Sequence, residues 1–414
     1  MIGPTHARFM TTTMTPETRP AGSTRHGTGF WLIAAVFLVA LAFSTVPTPL
    51  YPLYQRQDGF SSFTVTVVFA AYAIGVITAL LLAGHVSDWT GRKRILLPGL
   101  ALEAIAGVLF LVWTALPGLV LARFLTGAGV GMITATATAY LLDLHNAHRP
   151  GAARTRFEIV SAAVNLGGLA AGTLVAGALA QFVASPLRTP YEVFLVLLAL
   201  SAVAVASVPE TVRVPAERPR YRPQRPKVAG DDKLAYLVAA IGIFIPFAIF
   251  GLFTSLAPSF VSGALHHPSR FLAGLVVFLV IGMGVTAQIA SGTMSPRQRY
   301  LVGQVAPAVG LPLMVAGMFL PSLWVFLIGG MIAGAGGGMQ FKTAVSTVAQ
   351  IARPHERGEA LAGIFLIGYV GLAVPALGMG LATQAVAATT AVVWFAGLIL
   401  LLLAAITILR SRRA

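Results

Sequence analysis

The chain of 414 residues has no cysteine, only 13 acidic residues, and only 10% charged residues in all. Without cysteine there are no disulfides and no thiolate-held metal or iron–sulfur centres. An ordinary soluble protein is about a quarter charged, so this composition does not furnish a water-facing surface, and a soluble globular enzyme is excluded. No G-x-x-x-x-G-K-[ST] loop is present to cradle ATP as a direct energy source. The eight histidines (His6, His26, His85, His145, His148, His266, His267 and His355) fall in tails, loops or the edges of apolar runs. His145-x-x-His148 has no further ligand beside it, so neither a metal nor any other cofactor is expected. What remains is 57% hydrophobic, with 43 Gly and 25 Pro. That much Gly and Pro weakens helices in water but is tolerated in helices packed on one another in lipid. The solvent of this chain is a bilayer.

Crossing a hydrocarbon core of about 30 Å takes about 20 helical residues. Twelve apolar runs meet that length: 30–50, 63–83, 95–116, 118–142, 159–183, 191–208, 234–256, 271–289, 301–320, 323–349, 360–386 and 391–409. None alternates with period two, so helices are expected rather than barrel strands. The first run is too long for a signal-peptide core and is kept as a span. Residues 1–29 read as a Thr-rich disordered tail. Residues 30–208 and 234–409 read as two six-helix halves, 209–233 as a flexible Pro- and Arg-rich linker, and 410–414 as a short C-tail. The narrowest break is at Pro117 and Gly118. With alternating spans, 23 of the 28 Lys and Arg fall on the side of the N-terminus. Three (Arg56, Arg188, Arg270) fall opposite, and two (Arg123, Lys342) lie within spans. Lys and Arg mark cytoplasmic loops, so both termini are expected in the cytoplasm of a cell whose plasma (inner) membrane holds the chain. The net charge of +15 is then topology and not a nucleic-acid footprint.

The halves repeat one another. Gly127-Ala-Gly-Val-Gly-Met132 in span four and Gly334-Ala-Gly-Gly-Gly-Met339 in span ten differ at one position, 207 residues apart. Phe43-Ser-Thr and Phe253-Thr-Ser stand in spans one and seven, each followed by a proline (Pro47, Pro258). Duplicated six-span halves around a midplane cavity are an architecture for alternating access. The repeated small residues also serve close helix packing.

The loop after span two reads Gly84-His-Val-Ser-Asp88-Trp-Thr-Gly91-Arg92-Lys93-Arg94. It resembles the G-x-x-x-D-x-x-G-R-K/R signature of the major facilitator superfamily, at the place that signature occupies between the second and third spans. With the twelve spans and the linker, the resemblance covers nearly the whole chain. It implies an all-α membrane fold of two pseudo-symmetric six-helix halves, acting as a monomer. It implies that Gly84, Asp88, Gly91, Arg92 and Lys93 form an inner gate, with Arg92 facing Asp143 at the end of span four. The residues themselves agree: a carboxylate and a guanidinium at a membrane interface pair when a gate shuts and hydrate separately when it opens. A charge cluster that only sets topology is the alternative. Arg123-Phe-Leu-Thr-Gly127-Ala-Gly129 is similar to the family's R-x-x-x-G-x-G pattern, where the Arg is associated with proton coupling; Thr126 replaces a frequent Gln. Gly172-Thr173-Leu-Val-Ala176-Gly177 looks like a degraded form of the antiporter signature G-P-x-x-G-G, with Thr173 in place of Pro and Ala176 in place of Gly. Pro375 with Gly378 and Gly380 is a candidate bend in span eleven. The loops Arg149-Pro-Gly and 354–359, with Arg357, are similar to gate partners at those places.

Charge inside the bilayer costs a few kcal/mol or more. Glu103, Arg123 and Lys342 are therefore functional candidates. Glu103 is a proton carrier or a structural partner for a neighbouring helix. Lys342 is a ligand for an anionic group, a partner for a carboxylate, or a snorkelling lysine. Tyr72, Asn165, Gln288, Gln340 and Tyr369 are the uncharged polar candidates for a substrate cavity, or else interhelical hydrogen-bonders. No nucleophile faces a base within the spans, so no enzyme is expected. The sequence points to a secondary transporter that exports a small, partly hydrophobic molecule in exchange for protons. Its alternative is uptake of an organic anion, suggested by two buried cations against one buried acid.

Overall fold

The computed structural model describes residues 24–84, 86–212, 221–226, 228, 232–353 and 356–411. Among them, twelve helices are long and apolar enough to cross a membrane. They are α1 (Thr24–Ser44), α2 (Ser62–Ala83), α3 (Lys93–Val112), α4 (Leu116–His148), α5 (Thr155–Phe182) and α6 (Thr189–Ser207) in the first half. The second half holds α7 (Lys233–Ser255), α8 (Arg270–Ala290), α9 (Pro296–Phe319), α10 (Leu323–Ile351), α11 (Arg357–Ala385) and α12 (Ala388–Ser411).

Short polar side chains fix several starts. Ser61, Ser269 and Ser322 each accept a hydrogen bond from the backbone N–H three residues on, as does Asp232 at α7. Ser295 and Gln298 form a reciprocal capping box at α9. The expected break at Pro117 and Gly118 lies a few residues earlier, because Pro117 sits in the first turn of α4, where a missing N–H costs nothing. The tail expected over residues 1–29 is also shorter, since Thr24 to Gly29 are helical; residues 1–23 lie outside the described residues. Arg410 and Ser411 likewise belong to α12 and not to a tail. After Ser44 the chain turns through a 3-10 turn (Thr48–Leu50) into a short helix (Tyr51–Asp58), whose Tyr54 hydroxyl meets that of Tyr191 at 3.2 Å.

The two halves pack alike. A Cβ on Gly127 would strike the Tyr72 carbonyl and one on Gly131 would meet Ala79, so α4 lies directly on α2. The counterparts Gly334 and Gly338 press on the carbonyls of Val280 and Gly284, so α10 lies on α8 in the same way. α3, α6, α9 and α12 are the outer helices, with exposed apolar side chains such as Val112, Val203, Val305 and Leu401 facing lipid. The halves meet where α5 touches α8 and α11 touches α2. Gly177 packs on Gly274, and Gly380 packs on Thr66. The Thr173 hydroxyl is 3.1 Å from the Gly274 carbonyl oxygen. Thr173 and its glycine neighbours thus serve helix contact. Pro375 lies within α11, which continues through it.

Candidate functional site

Lys and Arg concentrate at one end of the bundle, the basic end, where α2 passes into α3. A four-residue helical turn, Ser87–Thr90, precedes Gly91. Gly91 has φ 111°, which L side chains rarely adopt, and a Cβ there would come within 3.1 Å of a Glu210 oxygen. That turn aims Arg92 inward, leaving it only 7% exposed. Its Nε donates to Asp143 Oδ2 at 3.0 Å, and its Nη1 donates to Ser87 Oγ at 2.9 Å and to Asp88 Oδ1. Burial works against the charge, but Asp88 and Asp143 more than offset it, and the guanidinium is held even more firmly protonated than usual. The expected set of Asp88, Arg92 and Asp143 therefore meets at one point. Lys93 lies beside it and donates to the Ala206 carbonyl. Gly84 sits at the end of α2 against Gln224. His85 lies outside the described residues.

Three members of this end escape a sequence reading. Ser87 and Gln224 are two of them, and Glu210 is the third. The Glu210 carboxylate accepts from the N–H groups of Arg92, Lys93, Thr211 and Val212, and so caps α3 from the linker. Gln224 ties the halves together: its N–H donates to Leu81 O at 2.8 Å and its side chain to Gly358 O at 3.1 Å. Tyr221 reaches Leu82 O. The linker expected to be flexible is thus pinned to the basic end at Glu210, Thr211, Tyr221 and Gln224; residues 213–220, 227 and 229–231 lie outside the described residues. Arg357, expected as a gate cation, is exposed at the first residue of α11 and belongs to no ion pair among the described residues. The backbone carbonyl of its neighbour Gly358 makes the contact instead.

Glu210 yields a test. Burial raises its proton affinity, but the four N–H donors outweigh that and hold it below the ordinary 4.5. A carboxyl depressed by folding adds stability that is present above its unfolded pKa and lost as pH falls through the folded one. Glu210→Ala is expected to cost about 1 kcal/mol at pH 7, a cap-sized effect discounted for exposure. The deficit should shrink as pH drops below about 4.5. Unfolding in detergent at several pH values reads this, and a deficit independent of pH would remove the capping role.

Within the first half, Arg123 is 2% exposed. Its Nη1 donates to the Ser44 carbonyl at 2.6 Å, and its guanidinium lies 4.6 Å from the Tyr72 ring centre and 5.7 Å from that of Phe69. Glu103 is fully buried, and neither carboxyl oxygen has a hydrogen-bond partner. It packs against Gly129, two turns along α4 from Arg123, and the two make no ion pair. Among the described residues of the second half, no acid, lysine or arginine is buried to that degree. At the same repeat offset, Gly310 replaces Glu103 and Gly330 replaces Arg123. Tyr369 on α11 packs against the first-half core that contains Tyr72. Tyr369 stands edge-on to Phe247 at 5.1 Å, and Phe341 and Phe365 extend this aromatic group.

The remaining candidates scatter. Asn165 is half-buried on α5, and its side chain makes no hydrogen bond among the described residues. The Lys342 ammonium donates to Gln288 O at 3.1 Å, in the last turn of α8, where carbonyls are free and a cation is favoured. That occupies Lys342 as a cap rather than as a cavity ligand. Gln288 is buried with its side-chain nitrogen unpartnered. Gln340 turns away from the junction of the halves, into a cavity among α7, α9, α10 and α12. His145 stands in the last turn of α4, which runs to His148, and is buried against Phe30.

A sequence profile of the Major Facilitator Superfamily matches residues 32–316. The quinolone resistance protein NorA of Staphylococcus aureus is 27% identical over 138 residues, 33% of this chain and 34% of NorA. The cephamycin export protein CmcT of Amycolatopsis lactamdurans is 30% identical over 148 residues, 36% of this chain and 30% of CmcT. The match thus spans about a third of the length of these curated relatives. Among solved structures, a bacterial homolog of the human lysosomal transporter Spinster, inward-facing and unoccupied, superposes with a TM-score of 0.72 at 14% identity. That superposition covers 94% of this chain and 97% of the other, and it speaks for the fold alone.

Proposed function

We propose that this chain, which belongs to the major facilitator superfamily and is a transporter of that fold, exports a small, partly hydrophobic molecule in exchange for protons. The observation that carries the reading is the asymmetry of the buried charges. Glu103 and Arg123 occupy only the first half, and glycines stand at both counterpart positions. A partnerless carboxylate in that setting is costly, so the neutral acid is the form this conformation accommodates. Release of that proton in another conformation couples it to the rocking of the halves. The apolar character of the cargo is supported by the rings of Phe247, Phe341, Phe365 and Tyr369 at the junction. Direction is supported by NorA and CmcT, whose names give resistance and export.

In this reading the basic end faces the cytoplasm, the membrane is the plasma (inner) membrane, and a monomer suffices. The halves are divided at the linker 209–233, and the gate of Arg92 closes the cytoplasmic end. The rival, organic-anion uptake, rests on two buried cations, Arg123 and Lys342, against Glu103; with the Lys342 ammonium on Gln288 O, one of the two is engaged as a helix cap. The test uses purified protein in liposomes and a panel of lipophilic fluorescent dyes. An imposed pH gradient should drive dye movement for at least one of them, and its collapse should stop it. Movement indifferent to the gradient would remove the proton from the scheme.

A further inference from the structure

The repeat offset of 207 residues places Arg299 in the second half where Arg92 stands in the first. The surroundings have diverged. Asp88 and Asp143, which neutralise Arg92, correspond to Ser295 and Gln350. Among the described residues no carboxylate forms an ion pair with Arg299, and its Nε is buried without a hydrogen-bond partner. The space has also been hollowed out. Leu96, Ile133 and Tyr140 are each fully buried in the first half, and Gly303, Gln340 and Thr347 stand in their places. The result is a cavity of about 390 Å³ opening among α7, α9, α10 and α12 at the basic end.

The lining includes buried polar groups without partners. Gln340 is 5% exposed, and neither its side-chain oxygen nor its nitrogen has a partner. Gln304 Oε1 is buried and unpartnered as well. Arg410, from the end of α12, holds its guanidinium 3.9 Å from the centre of the Tyr300 ring at the rim. Buried donors are normally paired, so the Arg299 Nε and the Gln340 amide call for an acceptor in the hollow, and the exposed Arg410 adds a second, more screened positive charge at its rim. Two guanidinium groups and an amide converging on one hollow match the oxygens of a phosphate.

We propose that this cavity is a second binding site, separate from the junction of the halves, for a phosphate-bearing anion. Its source is an anionic phospholipid of the leaflet at the basic end. α9 and α12 are outer helices, and the apolar side chains of Leu301 and Ile408, next to the rim on those two helices, are 47% and 54% exposed. They offer acyl chains a path beside a buried head group, as in basic pockets between membrane helices. The head group supplies the negative charge that Asp88 and Asp143 supply to Arg92. The proposal stands whether or not the cargo is exported with proton exchange.

Purified, delipidated protein in neutral detergent is titrated with phosphatidylglycerol, with phosphatidylcholine and with inorganic phosphate. Native mass spectrometry and thermal stability are read. One phosphatidylglycerol should remain per chain, with phosphatidylcholine bound far less. The double variant Arg299→Gln and Arg410→Gln should weaken retention about tenfold or more, since it removes two charge-assisted contacts. Thr347→Tyr restores the filling of the first half without removing charge. It should lose the lipid while melting no lower than the wild type without lipid, which guards against a fold defect. Displacement of the lipid by inorganic phosphate would confirm that the phosphate is what is read. Stabilisation by inorganic phosphate together with no phosphatidylglycerol binding would keep the anion site and reassign its source to the aqueous phase. Equal retention of phosphatidylglycerol by wild type and both variants, or equal binding of phosphatidylcholine, would overturn the site.

Discussion

Arg92→Ala is expected to destabilise the protein by about 2–4 kcal/mol and to loosen its basic end. The three partners of the guanidinium do not contribute equally. The Asp88 side chain is 63% exposed, so its pairing is screened and adds little. Asp143 is 32% exposed and shares the site with the buried Ser87. Removing the arginine leaves Asp143 with only the Thr211 hydroxyl, 3.1 Å from its Oδ2. Removing Asp143 instead leaves a buried cation facing one exposed acid. The expected order of cost is therefore Arg92→Ala, then Asp143→Asn, then Asp88→Asn. The same order should hold for gate opening. Because the chain contains no cysteine, Asn165→Cys introduces a single label site on α5 with no background. Its reaction with a membrane-impermeant maleimide should quicken in Arg92→Ala. Asp88→Asn costing as much as Asp143→Asn would show that burial does not set the strength of this lock.

The Arg92 cluster and the span count are legible in the sequence for different reasons. Twelve spans follow from transfer energetics, which any apolar run of sufficient length reports. Their ends do not, because α4 continues to His148 and α5 begins at Thr155, both as polar helix beyond the apolar stretches 118–142 and 159–183. Asp88, Arg92 and Asp143 come together because a local turn at Gly91 and a neighbouring helix end place them, and the motif marks that turn. Glu210 and Gln224 act through the folding-back of a Pro-rich linker, a tertiary event with no periodic signal. The only trace of Glu210 is that it is the first carboxylate after α6. The facing of polar residues within spans is the hardest to read. A helix that is apolar all round has no polar stripe to give its rotation. Gln340 and Lys342 therefore looked equivalent, yet Gln340 enters a cavity of its own half and Lys342 caps α8. The repeat would have separated them, since the counterpart of Gln340 is Ile133, packed against Gly99 on α3.

Glu103→Leu is expected to make the protein more stable and to end its coupling to protons. The carboxyl of Glu103 is fully buried with neither oxygen partnered, and an apolar side chain of similar size removes that unsatisfied group. Replacing a buried, unpaired polar group in this way is worth about 1–3 kcal/mol. If the residue only braced α3 against α4 at Gly129, leucine would serve as well or better, and gradient-driven dye movement would persist. If it carries the proton, movement driven by a pH gradient falls to the level of empty liposomes, while dye binding to the purified protein survives. Arg123→Gln tests the other side of the layer. It leaves the Ser44 carbonyl and the Tyr72 face without their cation, so it should lose stability as well as transport. Gain of stability with loss of coupling at Glu103, against loss of both at Arg123, is a pattern that packing alone does not produce. Wild-type coupling in Glu103→Leu would strike Glu103 from the mechanism and leave Arg123 as its remaining candidate.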